Sequence, residues 1–455
     1  MTDTSSMISF TGRSGRCVGV VTAASMTMGL GLVLSAPAQA VTRAAAPPIG
    51  AVTSTAVSSV TPAVTLRSRA SADARMRRLL ATRAKNPRLG NDLAIRVSDP
   101  GLGRSVYSKT PDEAQVPASN MKLVTAFVAL KTMGPTARMT TRVVRGTSGV
   151  TLIGGGDPML NNSRLDKLAS GTVKSLAAAS STGRAPKTVK VYYNDAMFPK
   201  HSNPRGWRSS YVTRAVNPVS ALARFGQRTT RPGYDTARYF ANRLTARGVK
   251  ATVVGRTTST SGTEAVRIAG VTIETAVRRM LLVSDNNVAE VLARNAAVAT
   301  KRPATWSGMR TTVRAVLRSE GVPLLGVSIV DGSGLSRSSR LTTRSISWVL
   351  TRAMRSPDPR LKPYLSTMAV AGRTGTIAKS YGRYNTSPTR CATGLVRAKT
   401  GYIQGTYALS GVAIAADGRP RVFSFVANKV SNTRYPGLEV RRALDRLAAT
   451  VTGCY

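Results

Sequence analysis

Histidine is nearly missing from this chain: His201 is the only one in 455 residues, and there are three cysteines. That excludes a His-based catalytic triad and a finger-type or His-rich metal centre, so no metal and no cofactor are expected. Acidic residues are also scarce, 20 against 66 Lys and Arg, for a net charge of +46. A balance this one-sided points to a polyanionic partner or an anionic surface. The Gly-rich run at Gly154-Gly155-Gly156-Asp157-Pro158 has neither G-x-G-x-x-G nor the Lys-Ser/Thr of a phosphate loop, which argues against a nucleotide. No recognised nucleic-acid motif, internal repeat or heptad run is present, and nucleic acid is not an expected partner. After the first 40 residues no stretch resembles a transmembrane helix.

What is there begins with an address. Arg13 and Arg16 precede an apolar, small-residue run over 18–34, and Ala38-Gln39-Ala40 matches a small-x-small cleavage site. Residues 1–40 therefore read as a signal peptide, with an uncleaved anchor as the alternative. Only Arg13, Arg16 and Asp3 are charged there, so the basic character belongs to the remainder. Residues 41–88 read as a flexible basic linker, rich in Ala, Thr, Val, Ser and Pro to about residue 70. Its last part, 75–88, is basic and partly helical, and either touches an anionic surface or lies on the domain. Cys17 leaves with the signal. Cys391 and Cys454 either form one disulfide that pins the C-terminus or remain two free thiols.

Hydrophobic residues make up 42% of the chain, enough for real cores, and the length predicts two domains or more. Strand-like alternation at 93–97 turns at Asp99-Pro100-Gly101 and returns over 105–108, leading into a helix. Residues 140–265 read as a separate small domain, with strands at 150–153, 188–193 and 249–254 between helices at 165–179 and 234–247. Helices follow at 272–282, 288–297, 311–319 and 342–354. Strands at 394–399, 406–415 and 421–428 precede a closing helix at 438–451.

Three short motifs carry chemistry. Ser119 and Lys122 stand three apart at a helix start, so they share a face. A lysine removed from water gives up its proton more readily and becomes a base at contact distance from the hydroxyl. The helix N-terminus adds positive field beside the nucleophile. Alone, Ser-x-x-Lys equally describes a helix cap and a solvated lysine. Ser284-Asp285-Asn286 follows a helix, and Lys399-Thr400-Gly401 lies at a strand end whose edge suits an extended peptide. Each of these, alone, also reads as an ordinary cap or turn.

In this order the three motifs resemble the penicillin-binding enzymes and serine beta-lactamases. Gly154 to Pro158, Ser284 to Glu290, Asp331-Gly332-Ser333-Gly334-Leu335-Ser336-Arg337 and Ala369 to Thr376 narrow the resemblance. They are similar to the D-alanyl-D-alanine carboxypeptidase/endopeptidase group, the penicillin-binding protein 4-like S13 peptidases. The resemblance implies an α/β (α+β) fold: an antiparallel sheet flanked by helices, in two parts at 89–140 and 269–455, with one smaller inserted α/β domain at 141–268. It implies Ser119 as nucleophile, Lys122 as general base, Ser284 as proton relay and Asn286 as the holder of Lys122 and the substrate amide. Lys399 tunes that network, Thr400 recognises a carboxylate or amide, and the N–H groups of Ser119 and Tyr402 form the oxyanion hole beside Gly401. Asp157 and Asp331 are expected to fix loops, and 383–390 to rim the site. Trp207 and Tyr211 either line the groove or pack in the core. Tyr402 departs from the Thr-like residue usual in the family, which keeps the N–H and loses a hydroxyl. The partners implied are peptidoglycan peptides and beta-lactam antibiotics, with anionic wall polymers or a membrane surface for the basic charge. The competing readings are a serine beta-lactamase, and a wall-binding protein of the same fold without turnover.

Overall fold

The structure is a computed structural model. It describes residues 62–199 and 202–455, with side chains on the first helix from residue 70 onward. The expected signal peptide and His201 lie outside the described residues.

Helix α1 (Pro62–Arg83) opens the described chain. Met76 and Leu80, four apart on one face, are buried, and Asp73 pairs with the fully buried Arg421. From residue 70 the helix is therefore docked, which corrects the flexible linker expected there and favours, of the two readings for 75–88, the one that lays it on the domain. The apolar i, i+4 pair and one acidic anchor outweigh its basic composition. Strands β1 (Asp92–Asp99) and β2 (Arg104–Lys109) form a hairpin whose turn is held by Asp99 Oδ1, which accepts from Gly101 and Leu102 N–H.

Helix α2 (Met121–Met133) follows a single 3-10 turn at Ala118–Asn120. Every residue from Met121 to Leu130 is buried, as expected of a helix apolar on nearly all sides. The side chains of its first turn, Lys122 among them, are therefore out of contact with bulk water.

The chain then leaves for a second sheet. Strands β3 (Arg138–Gly146) and β4 (Gly149–Gly154) lead to helix α3 (Asn162–Ala178) and strand β5 (Thr188–Asn194). Helix α4 (Pro232–Thr245) and strands β6 (Lys250–Arg256) and β7 (Thr263–Thr272) complete it. The order is β6-β5-β4-β3-β7, with β4, β5 and β6 parallel and β3 antiparallel to both neighbours. Val143, Leu152, Leu165, Leu168, Phe240 and Leu244 give it a core of its own. Neither β3 nor β7 was expected, because Arg142, Arg145, Glu264 and Arg267 interrupt the apolar alternation on faces that stay partly wet.

Helices α5 (Ile273–Val283), α6 (Asn286–Ala299), α7 (Trp306–Ser319) and α8 (Thr343–Arg355) return to the first body. The short strand β8 (Ala369–Val370) precedes β9 (Val396–Ile403), β10 (Thr406–Ile414), β11 (Pro420–Asn428) and helix α9 (Gly437–Val451). The antiparallel sheet runs β2-β1-β11-β10-β9-β8. Val422 and Val426 face the α2, α5–α8 side, while Phe423 and Phe425 face α1 and α9. Both faces are covered, so β11 reads as a nearly continuous apolar run. Each fully buried Phe, Leu or Val contributes about 1.5–3 kcal/mol.

The loop at 383–390 does not simply rim the site. Arg383 is buried in a bidentate pair with Asp445 of α9, and Cys391 forms a disulfide with Cys454. Two anchors thus fasten this loop and its end to the C-terminal segment, one on α9 and one just beyond it. The bonded cysteines stand 63 residues apart, and a closure of that length restricts the unfolded chain by about 4 kcal/mol in the chain-entropy account. Cys391→Ser is expected to lower the unfolding free energy by about 2–4 kcal/mol in urea titrations. An unchanged midpoint would contradict this.

Candidate active site

Lys122 sits in the first turn of α2 with 0% exposure. Its Nζ lies 2.9 Å from Ser119 Oγ, 2.7 Å from Asn286 Oδ1 and 2.7 Å from the Ser333 carbonyl oxygen. Burial disfavours the ammonium and brings its pKa down to about 8, against the upward pull of the Glu290, Asp331 and Asp285 carboxylates. A neutral amine has two N–H groups and one lone pair. Asn286 Oδ1 and Ser333 O accept the two N–H groups, which leaves the lone pair for the Ser119 hydroxyl.

The Ser333 carbonyl belongs to a loop that the fold holds from below. Glu290 on α6 accepts from Gly332 and Ser333 N–H at 3.0 and 2.8 Å. Its carboxyl is raised to about 7 by burial first and by Asp331 second, with those same hydrogen bonds opposing. Asp331 accepts from Trp207 Nε1, Ser336 N, Gly334 N and the Ser339 hydroxyl, which confirms it as a loop-fixing residue. Trp207 is tied to this loop by that 2.8 Å bond.

Gly334 of the loop packs on Ala118, the residue before Ser119. Ala118 has φ +45°, a left-handed conformation that costs an ordinary residue about 1–3 kcal/mol. A Cβ on Gly334, itself at φ +80°, would lie 1.8 Å from the Ala118 carbonyl oxygen. Gly334→Ala must therefore displace the Ser119 turn. Misplacement by about 1 Å typically lowers rates by about 100-fold, so acylation of Gly334→Ala is expected to fall by that order. A stopped-flow rate within threefold of wild type would show that the contact does not position Ser119. Beneath the turn, Asn120 Nδ2 donates to Ser410 Oγ on β10, at 2.6 Å.

Ser284 ends α5 in a left-handed conformation at φ +62°, and Asp285 caps α6 by accepting from Val288 N–H. Asn286 follows, with Oδ1 on Lys122 and Nδ2 donating to the Ala215 carbonyl at 2.9 Å. Among the described residues no hydrogen bond joins Ser284 to Ser119 or Lys122. Ser284 is brought in through its neighbour Asn286. Both line a cavity of about 330 Å³ together with Asp157, Ala215 and Arg279. Asp157 is buried and accepts from Met159 N–H, and burial raises its pKa.

Lys399 is fully buried and donates to the Thr400 carbonyl oxygen at 2.7 Å, not to Ser119 or Lys122. Burial, and next the nearby Lys122, hold its pKa well below the usual lysine range. The strand does not end at Lys399, as the sequence suggested, but runs on to Ile403. A Cβ on Gly401 would meet the Pro117 carbonyl oxygen at 3.0 Å and Ala118 Cβ at 3.3 Å, so β9 lies against the Ser119 turn. Thr400 shares a 2.7 Å hydrogen bond with Thr376. Tyr402 is 46% exposed, its ring 4.9 Å from Tyr407 and tilted by 48°, with Arg441 over its ring at 5.2 Å. Of the expected residues, Ser119, Lys122 and Asn286 are joined directly, and Gly401 abuts their turn.

Sequence reasoning did not assign the Ser333 carbonyl, Glu290 or Thr376. A backbone carbonyl leaves no trace in composition, and Glu290 reads as a surface charge until α6 is known to be buried around it. Among the described residues, no group of three or more His, Cys, Asp or Glu is placed to hold a metal ion. No described helix is long and apolar enough to cross a membrane.

A family model for the D-Ala-D-Ala carboxypeptidase 3 (S13) family matches residues 76–224 and 212–451. Carboxypeptidase DacB of Mycolicibacterium smegmatis is 29% identical over 391 residues, covering 82% of this chain and 83% of that protein. Carboxypeptidase Rv3627c of Mycobacterium tuberculosis is 29% identical over 396 residues, with the same coverage of 82% and 83%. The crystal structure of penicillin binding protein 4 from Haemophilus influenzae superposes with a TM-score of 0.68 at 19% identity. It covers 81% of this chain and 97% of that one, a likeness of fold.

Proposed function

This chain belongs to the D-Ala-D-Ala carboxypeptidase S13 family, and from that premise we propose how its residues carry out a serine carboxypeptidase/endopeptidase reaction on peptidoglycan stem peptides. The observation that carries the reading is the desolvated Lys122 amine at 2.9 Å from Ser119 Oγ. Ser119 Oγ attacks the carbonyl of a D-Ala-D-Ala bond while its proton passes to neutral Lys122. The developing oxyanion accepts from the backbone N–H groups of Ser119 and Tyr402, on the turn and the strand that Gly401 holds together. As the C–N bond breaks, the proton goes to the leaving amine through the Ser284 hydroxyl. The ester on Ser119 is then hydrolysed by water, with Lys122 again taking a proton.

Asn286 keeps the Lys122 lone pair aimed at Ser119. The other half of its amide is bound to Ala215, so in this reading it positions the base rather than the substrate amide. Thr400, set by Thr376, recognises the substrate carboxylate or amide. Lys399 acts on the same network from a buried position. Beta-lactams enter as mimics of the scissile amide. The same reading divides the chain into a transpeptidase-like domain at 89–140 and 269–455 around an insertion at 141–268. Export across the cytoplasmic membrane, with the basic surface facing anionic wall polymers, completes it.

The test is release of free D-alanine from a pentapeptide ending in D-Ala-D-Ala, beside a crosslinked dipeptide-bridge substrate. Serine-dependent cleavage of either supports the proposal. Cleavage of neither, alongside rapid turnover of penicillin, would replace it by a beta-lactamase.

A further inference from the structure

A second cavity, of about 420 Å³, lies between the end of β5, the start of α4, and helices α6 and α7. Its size falls in the range of about 300–1,000 Å³ typical of small-molecule sites. None of Ser119, Lys122, Ser284 or Lys399 lines it.

Its charge is unusual. Arg294 lines the cavity and is 2% exposed. One Nη donates to the Ala304 carbonyl, while Nε is buried without a hydrogen-bond partner. Among the described residues no carboxylate forms an ion pair with it. Glu290, one turn earlier on α6, has both oxygens committed to Gly332 and Ser333 N–H. A buried guanidinium left with open donors is a ready partner for an anion. The acid in the same wall, Asp195, is already paired with Arg256 and accepts from Ser220. Arg231, exposed at the rim, adds a second cation.

The rest of the wall is aromatic. Trp306 lies 3.9 Å from the Arg294 guanidinium carbon and edge-on to Trp207 at 5.6 Å. Tyr193 and Tyr234 form a second edge-on pair at 6.4 Å. The two indole N–H groups are already given to Asp331 and the Ser202 carbonyl, so the wall offers four ring surfaces and two tyrosine hydroxyls around a cation, suited to a ligand with apolar C–H faces, some hydroxyls and a negative charge.

We infer that this cavity is a second binding site, taking an anionic saccharide whose ring rests on Trp306 and Tyr234 and whose carboxylate or phosphate meets Arg294 and Arg231. The inference goes beyond the peptidase reading and needs no acylation, so the two fail separately. Trp207 is left out of the test, because its bond to Asp331 ties it to the loop beneath Lys122.

The test titrates the full chain, by NMR or calorimetry, with N-acetylmuramic acid, N-acetylglucosamine 6-phosphate and neutral N-acetylglucosamine. Saturable binding of at least one anionic sugar is expected, about tenfold tighter than the neutral sugar and about tenfold weaker in Arg294→Gln and Tyr234→Ala. The preferred anion distinguishes a carboxylated from a phosphorylated ligand. Penicillin acylation of Tyr234→Ala should remain at the wild-type rate, which shows that the variant is folded. If Arg294→Gln does not fold, Arg231→Gln carries the charge test. Three results would overturn the inference: no saturation by either anionic sugar, equal binding of lactate or inorganic phosphate alone, or unchanged binding by Tyr234→Ala.

Discussion

Lys122→Met is expected to slow acylation by a labelled penicillin about 1,000-fold, the middle of the range of about 100- to 10,000-fold that a positioned general base supplies. Methionine matches the volume and apolar stem of a side chain that is wholly buried in α2, so the helix should still pack. What disappears is the lone pair facing Ser119 Oγ. The Asn286 and Ser333 oxygens lose their donor, which lowers stability by about 1–3 kcal/mol per group without supplying any base. Unfolding and acylation therefore separate: a modest fall in melting temperature beside a near-total loss of rate. A folded Lys122→Met that acylates within tenfold of wild type would assign the base elsewhere.

Acylation by wild type should depend on pH through the same amine. The active form is neutral Lys122, and the ammonium dominates below its pKa of about 8. The rate is therefore expected to rise about tenfold per pH unit up to that point and then level, so pH 5 lies about 1,000-fold below the plateau. Glu290 supplies the largest upward pull on the Lys122 pKa. Glu290→Gln, which keeps an acceptor for the loop, should move the midpoint to lower pH. A flat profile between pH 5 and 8, or a midpoint that rises in Glu290→Gln, would contradict the assignment.

The three short motifs were legible because each is contiguous and each sits at a structural junction: a helix start, a helix–helix joint and a strand. The apolar runs of α2, β10 and β11 were legible for the same reason, being buried on nearly every side. What stayed hidden depends on contacts distant in sequence. The strand through Lys399 seemed to stop because Thr-Gly-Tyr resembles a turn, yet Gly401 is there to let β9 approach the Pro117 carbonyl. The left-handed Ala118 carries no compositional mark, and Gly334, packed on it from 216 residues away in sequence, together with Gly401 explains how it is held. For 75–88 the sequence left docking on the domain open beside an anionic surface; what it did not mark is the anchor, Asp73, the one acid among the many basic residues of α1, which pairs across to β11.

The central claim is that Ser119 Oγ becomes covalently bonded to the substrate acyl group. Intact-mass spectrometry after brief exposure to penicillin tests it most directly, with peptide mapping and Ser119→Ala run in parallel. The account predicts one adduct per chain, persistent, mapped to Ser119 and absent from Ser119→Ala. An adduct that survives in Ser119→Ala, or no adduct on the folded wild-type chain, would contradict it.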